Sequence, residues 1–191
     1  MKASLAKLGL LMSLPGVALA HTDAGQTTGF LQGLGHPMGG VDHLLAMLAV
    51  GLWAMQIGGR ACWWVPTTFV GVMIGGGILG LAGVPLPFVE TGISVSVCLL
   101  GLLIAGACRL PLAYSAMLVG TFAIFHGHAH GTEMPFATGA VSYTIGFALA
   151  TALLHLAGMG LGGLMQKVNL QTAVRCAGGA IALGGIYLVV S

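Results

Sequence analysis

Six apolar stretches, at residues 41–57, 61–82, 86–107, 111–125, 136–165 and 172–190, fill most of this chain, parted by short links that carry Gly, Pro or a basic residue. A bilayer hydrocarbon core takes about 20 residues of helix. Inside it, every backbone N–H and C=O has to be satisfied within the protein. The pattern therefore predicts an all-α, polytopic membrane bundle of six transmembrane helices, folded as one domain over residues 21–191. Composition excludes a water-soluble domain, because 57% of the residues are hydrophobic and only 5% are charged, too little polar surface to face water. The 33 glycines follow no collagen-like period and suit close helix contacts and broken helices in lipid.

The first twenty residues have the three parts of a secretory signal. Lys2 and Lys7 precede an apolar run from Leu8 to Leu14, and Ala18-Leu19-Ala20 supplies an A-x-A cleavage site. Cleavage leaves His21 as the first residue; the other reading is an uncleaved signal anchor. Both put the following residues outside the cell membrane. The links at 58–60, 108–110 and 166–171 are then cytoplasmic and hold Arg60, Arg109 and Lys167, with Arg175 in the first turn of the last span. That distribution obeys the positive-inside bias. It predicts a multi-pass protein of the bacterial inner membrane with a periplasmic mature N-terminus.

Acidic residues take the other side. Asp42, Glu90 and Glu133 fall at the outer ends of predicted spans, with Asp23 in the outer tail. Histidines accompany them: His36 and His43 flank Asp42, and His126, His128 and His130 lead up to Glu133. A chain poor in polar groups gathers them in one layer.

The first cluster reads Gly35-His36-Pro37-Met38-Gly39-Gly40-Val41-Asp42-His43. Proline and paired glycines interrupt helix here, and irregular backbone at membrane depth is where transporters place their sites. An ionised Asp at a helix centre costs about 2.5 to 3.5 kcal/mol on insertion scales, so it needs a partner or a task. Imidazoles with a carboxylate suit nickel, cobalt, zinc or copper ions. The structural alternative for Asp42 is a helix N-cap.

The second cluster, Phe125-His126-Gly127-His128-Ala129-His130-Gly131-Thr132-Glu133, is expected to lie in glycine-broken backbone. In a helix His126 and His130 share a face; in extended chain all three histidines do. Both geometries permit chelation, and the alternative is a solvent-exposed histidine-rich loop. Glu90 either neutralises a bound cation or caps a helix in headgroup water. His155 stands alone in the fifth span, as a hydrogen-bonded core histidine or as part of an ion path. His21, once freed by cleavage, offers an imidazole beside an α-amine, a pair able to hold nickel or copper. Met38, Met47 and Met55 read as packing. Gly71 with Gly75, Gly76 with Gly80 and Gly158 with Gly162 read as helix-contact pairs. The four cysteines imply no disulfide framework.

Taken together, His36-Pro37 with Gly40 and Asp42-His43-Leu44-Leu45-Ala46-Met47 resembles the signature of the HupE/UreJ family, and the run from Phe125 to Glu133 resembles its second motif. The resemblance runs through the mature chain and includes Val89-Glu90 at the start of the third span. It implies a secondary transporter for nickel or cobalt that supplies [NiFe]-hydrogenase or urease assembly. Carried over by position, it implies metal contacts at His36, Asp42, His43, Glu90, His126, His128, His130 and Glu133. Five residues separate His36 from Asp42, where the broader nickel/cobalt permeases have four, so their detailed geometry does not transfer. No resident cofactor is expected, the ion being cargo. The expected partners are that divalent ion and the lipid bilayer, with no nucleic acid. Two other readings compete: an intramembrane zinc hydrolase, and a metal sensor or haem-binding subunit.

Overall fold

The computed structural model describes residues 29–134 and 139–190, and among them it contains helices and turns but no strand. In chain order they are α1 (Gly29–Gly35), a 3-10 turn (His36–Met38), α2 (Val41–Ile57), α3 (Ala61–Leu81), α4 (Val89–Ala105), α5 (Leu112–Glu133), α6 (Ala140–Lys167) and α7 (Gln171–Val190). Each apolar stretch of the sequence falls on one of α2 to α7. The expected signal at residues 1–20 and His21 lie outside the described residues.

Among the described residues, α3, α6 and α7 are long and apolar enough to cross a bilayer. A fourth crossing is added if α1 with its 3-10 turn and α2, bent by 81° at the break between them, count as one broken span. α4 is apolar but only 17 residues long. α5 has 22 residues, and its last two turns carry the histidines and Glu133 in place of apolar side chains.

The expectation of glycine-broken backbone around His126 is corrected: α5 continues unbroken through Glu133. Glycine frays a helix in water because competing conformations are solvated; with α3 packed against it, the helical hydrogen bonds are the ones available. The same glycines let α3 and α5 approach closely. A Cβ on Gly127 would overlap the Met73 carbonyl oxygen, and one on Gly131 the Gly77 carbonyl oxygen. From the facing side, a Cβ on Gly80 would overlap the His128 carbonyl oxygen. Gly158 likewise meets the backbone of α2 at Leu48. Gly71 and Gly75 depart from the expected contact role, with nothing within 4 Å of the Cβ position of either.

The closest helix pairings are α3 with α5, α4 with α7, and α6 with both α1 and α2. α2 also touches α3, α4 and α7, and it supplies the buried Met47, Val50 and Trp53 that meet Phe69, Leu100 and Ile104 in the core. Met38, expected in that core, is instead 58% exposed, because the 3-10 turn points it outward. Large apolar side chains such as Trp63, Met117, Leu153 and Leu183 stay exposed on the outside of the bundle, a surface suited to lipid. Antiparallel packing brings the starts of α2 and α4 and the end of α5 to one mouth. The opposite end holds a polar cavity of about 480 Å³ lined by Gln56, Arg109, Gln166 and Arg175 among others.

Candidate metal site

The sharp bend before α2 builds the first half of the site. Gly40 caps α2 in extended conformation and makes no side-chain cap bond. A Cβ there would lie 2.6 Å from Asp42 Oδ1 and 3.2 Å from His43 Nδ1, so glycine leaves room for those side chains to fold back over the helix start. The capping alternative for Asp42 does not match this geometry, since Gly40 occupies that position. Asp42 Oδ1 instead accepts from the His43 backbone N–H at 2.7 Å and pairs with His43 Nδ1 at 2.9 Å.

The second half comes from helical spacing in α5. His126 and His130 lie one turn apart on the face toward α2, with ring centroids 4.8 Å and 4.3 Å from His43. His130 also sits 4.6 Å from the His36 ring. Glu133 extends the row by most of another turn, and its Oε2 lies 3.1 Å from His36 Nε2. Ligand atoms of His36, His130 and Glu133 all fall within 4.8 Å of one another. A cavity of about 390 Å³ is lined by His36, Gly39, Gly40, Asp42, His43, Glu90, His130 and Glu133. His126 is fully buried beside His43.

Hydrogen bonds assign the ring nitrogens. A carboxylate only accepts, so His43 donates its Nδ1–H to Asp42 and presents the lone pair of Nε2, which is buried and has no partner among the described residues. Ser96 gives its single hydroxyl proton to the Ile93 carbonyl at 2.6 Å. The 3.0 Å contact to His126 is then the Nε2–H donating to Ser96 Oγ, which leaves the lone pair on the buried, unpartnered Nδ1. His43 is thus held by a carboxylate, a partner that metal-ligating histidines characteristically use, and His126 by a buried hydroxyl that fixes its ring in the same way.

The chain matches the family model described as HupE / UreJ protein over residues 9–188. It belongs to the HupE/UreJ family. It is also similar to Protein HupE of Rhizobium leguminosarum bv. viciae, with 48% identity over 179 residues, covering 94% of this chain and 93% of that protein. No solved structure matches it.

In this HupE/UreJ chain, six of the residues expected at the metal share the mouth cavity: His36, Asp42, His43, Glu90, His130 and Glu133. His126 lies inward of them. His128 is not brought to the cavity: two residues along a helix turn it to the other side, where its Nε2 donates to the Val84 carbonyl at 2.7 Å. The exposed-loop alternative fails, since His126, His128 and His130 are all buried. Glu90 lies in the first turn of α4, whose N-cap Phe88 makes no side-chain cap bond.

Three residues of the site escaped the sequence reading. Ser96 is fully buried against His126; a hydroxyl within the apolar run of α4 was its only signal. The Phe147 ring lies tilted against His130, with centroids 3.8 Å apart, and Tyr143 flanks His36 at 5.8 Å. Both come from α6 and look in sequence like ordinary span aromatics. Chemically, the arrangement offers imidazole nitrogens and carboxylate oxygens from four separate elements, a donor set for a borderline divalent cation rather than for magnesium or calcium.

Proposed function

We propose that this HupE/UreJ protein is a secondary permease that carries a divalent ion, nickel first and cobalt second, inward across the bacterial inner membrane for hydrogenase or urease assembly. In this reading α2 to α7 cross the bilayer six times as one domain. A signal at residues 1–20 is removed, leaving His21 at a periplasmic N-terminus where its imidazole and α-amine capture the ion. The cation then exchanges waters for His36, His43, His126 and His130, with Asp42, Glu90 and Glu133 balancing its charge. It moves inward when the helices rearrange, from a site tight enough to select and loose enough to release. The protein needs no resident cofactor for this.

The observation that carries the reading is the convergence of both motifs on one cavity at the mouth of the bundle. Three of the chain's four acidic residues line that one cavity beside three imidazoles, a donor set suited to such a cation. Membership in the family supports nickel or cobalt as cargo and sets the chain among metal permeases and accessory proteins, not enzymes.

Nickel influx into proteoliposomes holding the purified protein tests this. Wild-type protein is expected to accumulate radioactive nickel, and Asp42→Ala and His43→Ala to lose about tenfold or more of the rate, the scale at which metal-site substitutions act. Equal influx for all three removes the site assignment; no wild-type influx removes the permease.

A further inference from the structure

At the end of the bundle away from the metal mouth, the polar cavity of about 480 Å³ carries positive charge without a carboxylate in its lining. Arg109 reaches it from the link after α4, and Arg175 from near the start of α7. The carboxylates of the described residues, Asp42, Glu90 and Glu133, all line the opposite mouth. Neither arginine forms a salt bridge among the described residues. The positive-inside bias accounts for the side on which these charges stand, but not for their meeting in one cavity.

Hydrogen bonds between elements build its walls. Gln56 Nε2 donates to the Ile104 carbonyl and Gln166 Nε2 to the Met55 carbonyl, both at 3.1 Å, tying the end of α2 to α4 and the end of α6 to α2. Arg175 Nε donates to the Ala105 carbonyl at 2.8 Å. That bond seats the guanidinium against the end of α4 and leaves its two terminal amino groups for another acceptor. Thr172 and Gln171 add a hydroxyl and an amide to the same lining. The planar fork of arginine matches the paired oxygens of a phosphate, and basic pockets between membrane helices suit phospholipid headgroups. Acyl chains have a place beside it, because Leu164, Val168 and Leu170, close to Gln166 and Gln171 in the chain, are all exposed. A free phosphate ion has no use for that apolar flank.

We infer that this cavity binds the phosphate of an anionic phospholipid headgroup, with Arg109 and Arg175 as its cationic contacts. The inference is independent of the permease reading, since lipid binding is measured without metal or flux.

The test uses the full chain in nanodiscs of phosphatidylcholine with a minority of phosphatidylglycerol, as wild type, Arg109→Gln, Arg175→Gln and Lys167→Gln. Arg109 makes no hydrogen bond or ion pair among the described residues, so its substitution leaves the packing untouched. Lys167, in the last turn of α6, lies outside the cavity lining and is the charge-matched control. Native mass spectrometry of protein released from the nanodisc counts the lipids retained. Wild-type protein is expected to retain phosphatidylglycerol over phosphatidylcholine, and each arginine variant to lose about fivefold of that preference. Lys167→Gln is expected to keep it within about twofold, because a charge outside the cavity is screened by salt. Equal losses in Lys167→Gln and Arg109→Gln would reduce the effect to diffuse surface attraction and overturn the site. Retention of added inorganic phosphate with no preference for phosphatidylglycerol would overturn the lipid as its ligand. If Arg175→Gln fails to fold, Arg109→Gln decides the outcome.

Discussion

His36 and Glu133, 97 residues apart in the chain, approach to 3.1 Å between imidazole Nε2 and carboxylate Oε2. The contact ties the 3-10 turn before α2 to the last turn of α5, joining the two motifs at the outer edge of the cavity. Both side chains are partly exposed, at 30% and 51%, and an exposed ion pair is worth about 0–1 kcal/mol. Glu133→Gln is therefore expected to change the unfolding free energy by less than about 1 kcal/mol, while nickel affinity falls about tenfold. Thermal unfolding and nickel titration of the same preparation separate the two effects; a large loss of stability with unaltered affinity would make the pair a structural clasp.

Ser96 tests whether the tautomer of His126 matters. Ser96→Ala removes the acceptor that holds Nε2–H and frees the ring to present the wrong nitrogen. Nickel affinity is expected to drop about tenfold, within the range for partners of metal-ligating histidines. Helix content by circular dichroism is expected to stay that of the wild type. Undiminished affinity would remove Ser96 and its orienting role from the site.

His128 is expected to behave unlike its neighbours. Its bond to the Val84 carbonyl ties α5 to the link after α3, so His128→Ala should cost about 0.5–1.5 kcal/mol of stability for the lost hydrogen bond. Because its ring does not line the cavity, nickel affinity is expected to remain within about threefold, against about tenfold or more for His130→Ala. Comparable losses of affinity in the two variants would contradict the helical placement of the cluster.

The α3–α5 crossing holds His126 and His130 in line through the glycine between them. Gly127→Ala would force a methyl group into the Met73 carbonyl, and overpacking of this kind costs about 1–3 kcal/mol or more. A lower melting temperature in detergent and weaker nickel binding are expected together, because separating the helices also moves both imidazoles. A melting curve like that of the wild type would show that the crossing is looser than described.

Helices were legible because a bilayer demands long apolar runs, and each run fell on one of α2 to α7. The pairing of helices was not. Gly76-x-x-x-Gly80 and Gly71-x-x-x-Gly75 look alike in sequence, yet the first meets α5 and the second meets nothing within 4 Å; small-residue spacing signals a close approach without naming the partner or the face. Gly127 and Gly131 signal a helix break in sequence, yet packing against the α3 backbone makes them contact residues within a continuous α5.

The residues of the mouth were legible for a related reason. Charged and imidazole groups are rare in this chain, so Asp42, Glu90 and Glu133 stood out with their histidines. Their directions were not, since spacing alone left helix and extended chain open at His128. Ser96 and Phe147 stayed hidden because a hydroxyl and an aromatic are ordinary within membrane helices, and only their contacts with His126 and His130 give them a role.

The central claim is that donors from both motifs grip one ion, and a double-mutant cycle on nickel binding with His43→Ala and His130→Ala tests it most directly. Their rings lie 4.3 Å apart, so if they share a metal the second substitution adds little once the first has disabled the site, with a coupling of about 0.5–3 kcal/mol. Losses that simply add, as for two independent sites, would contradict the account.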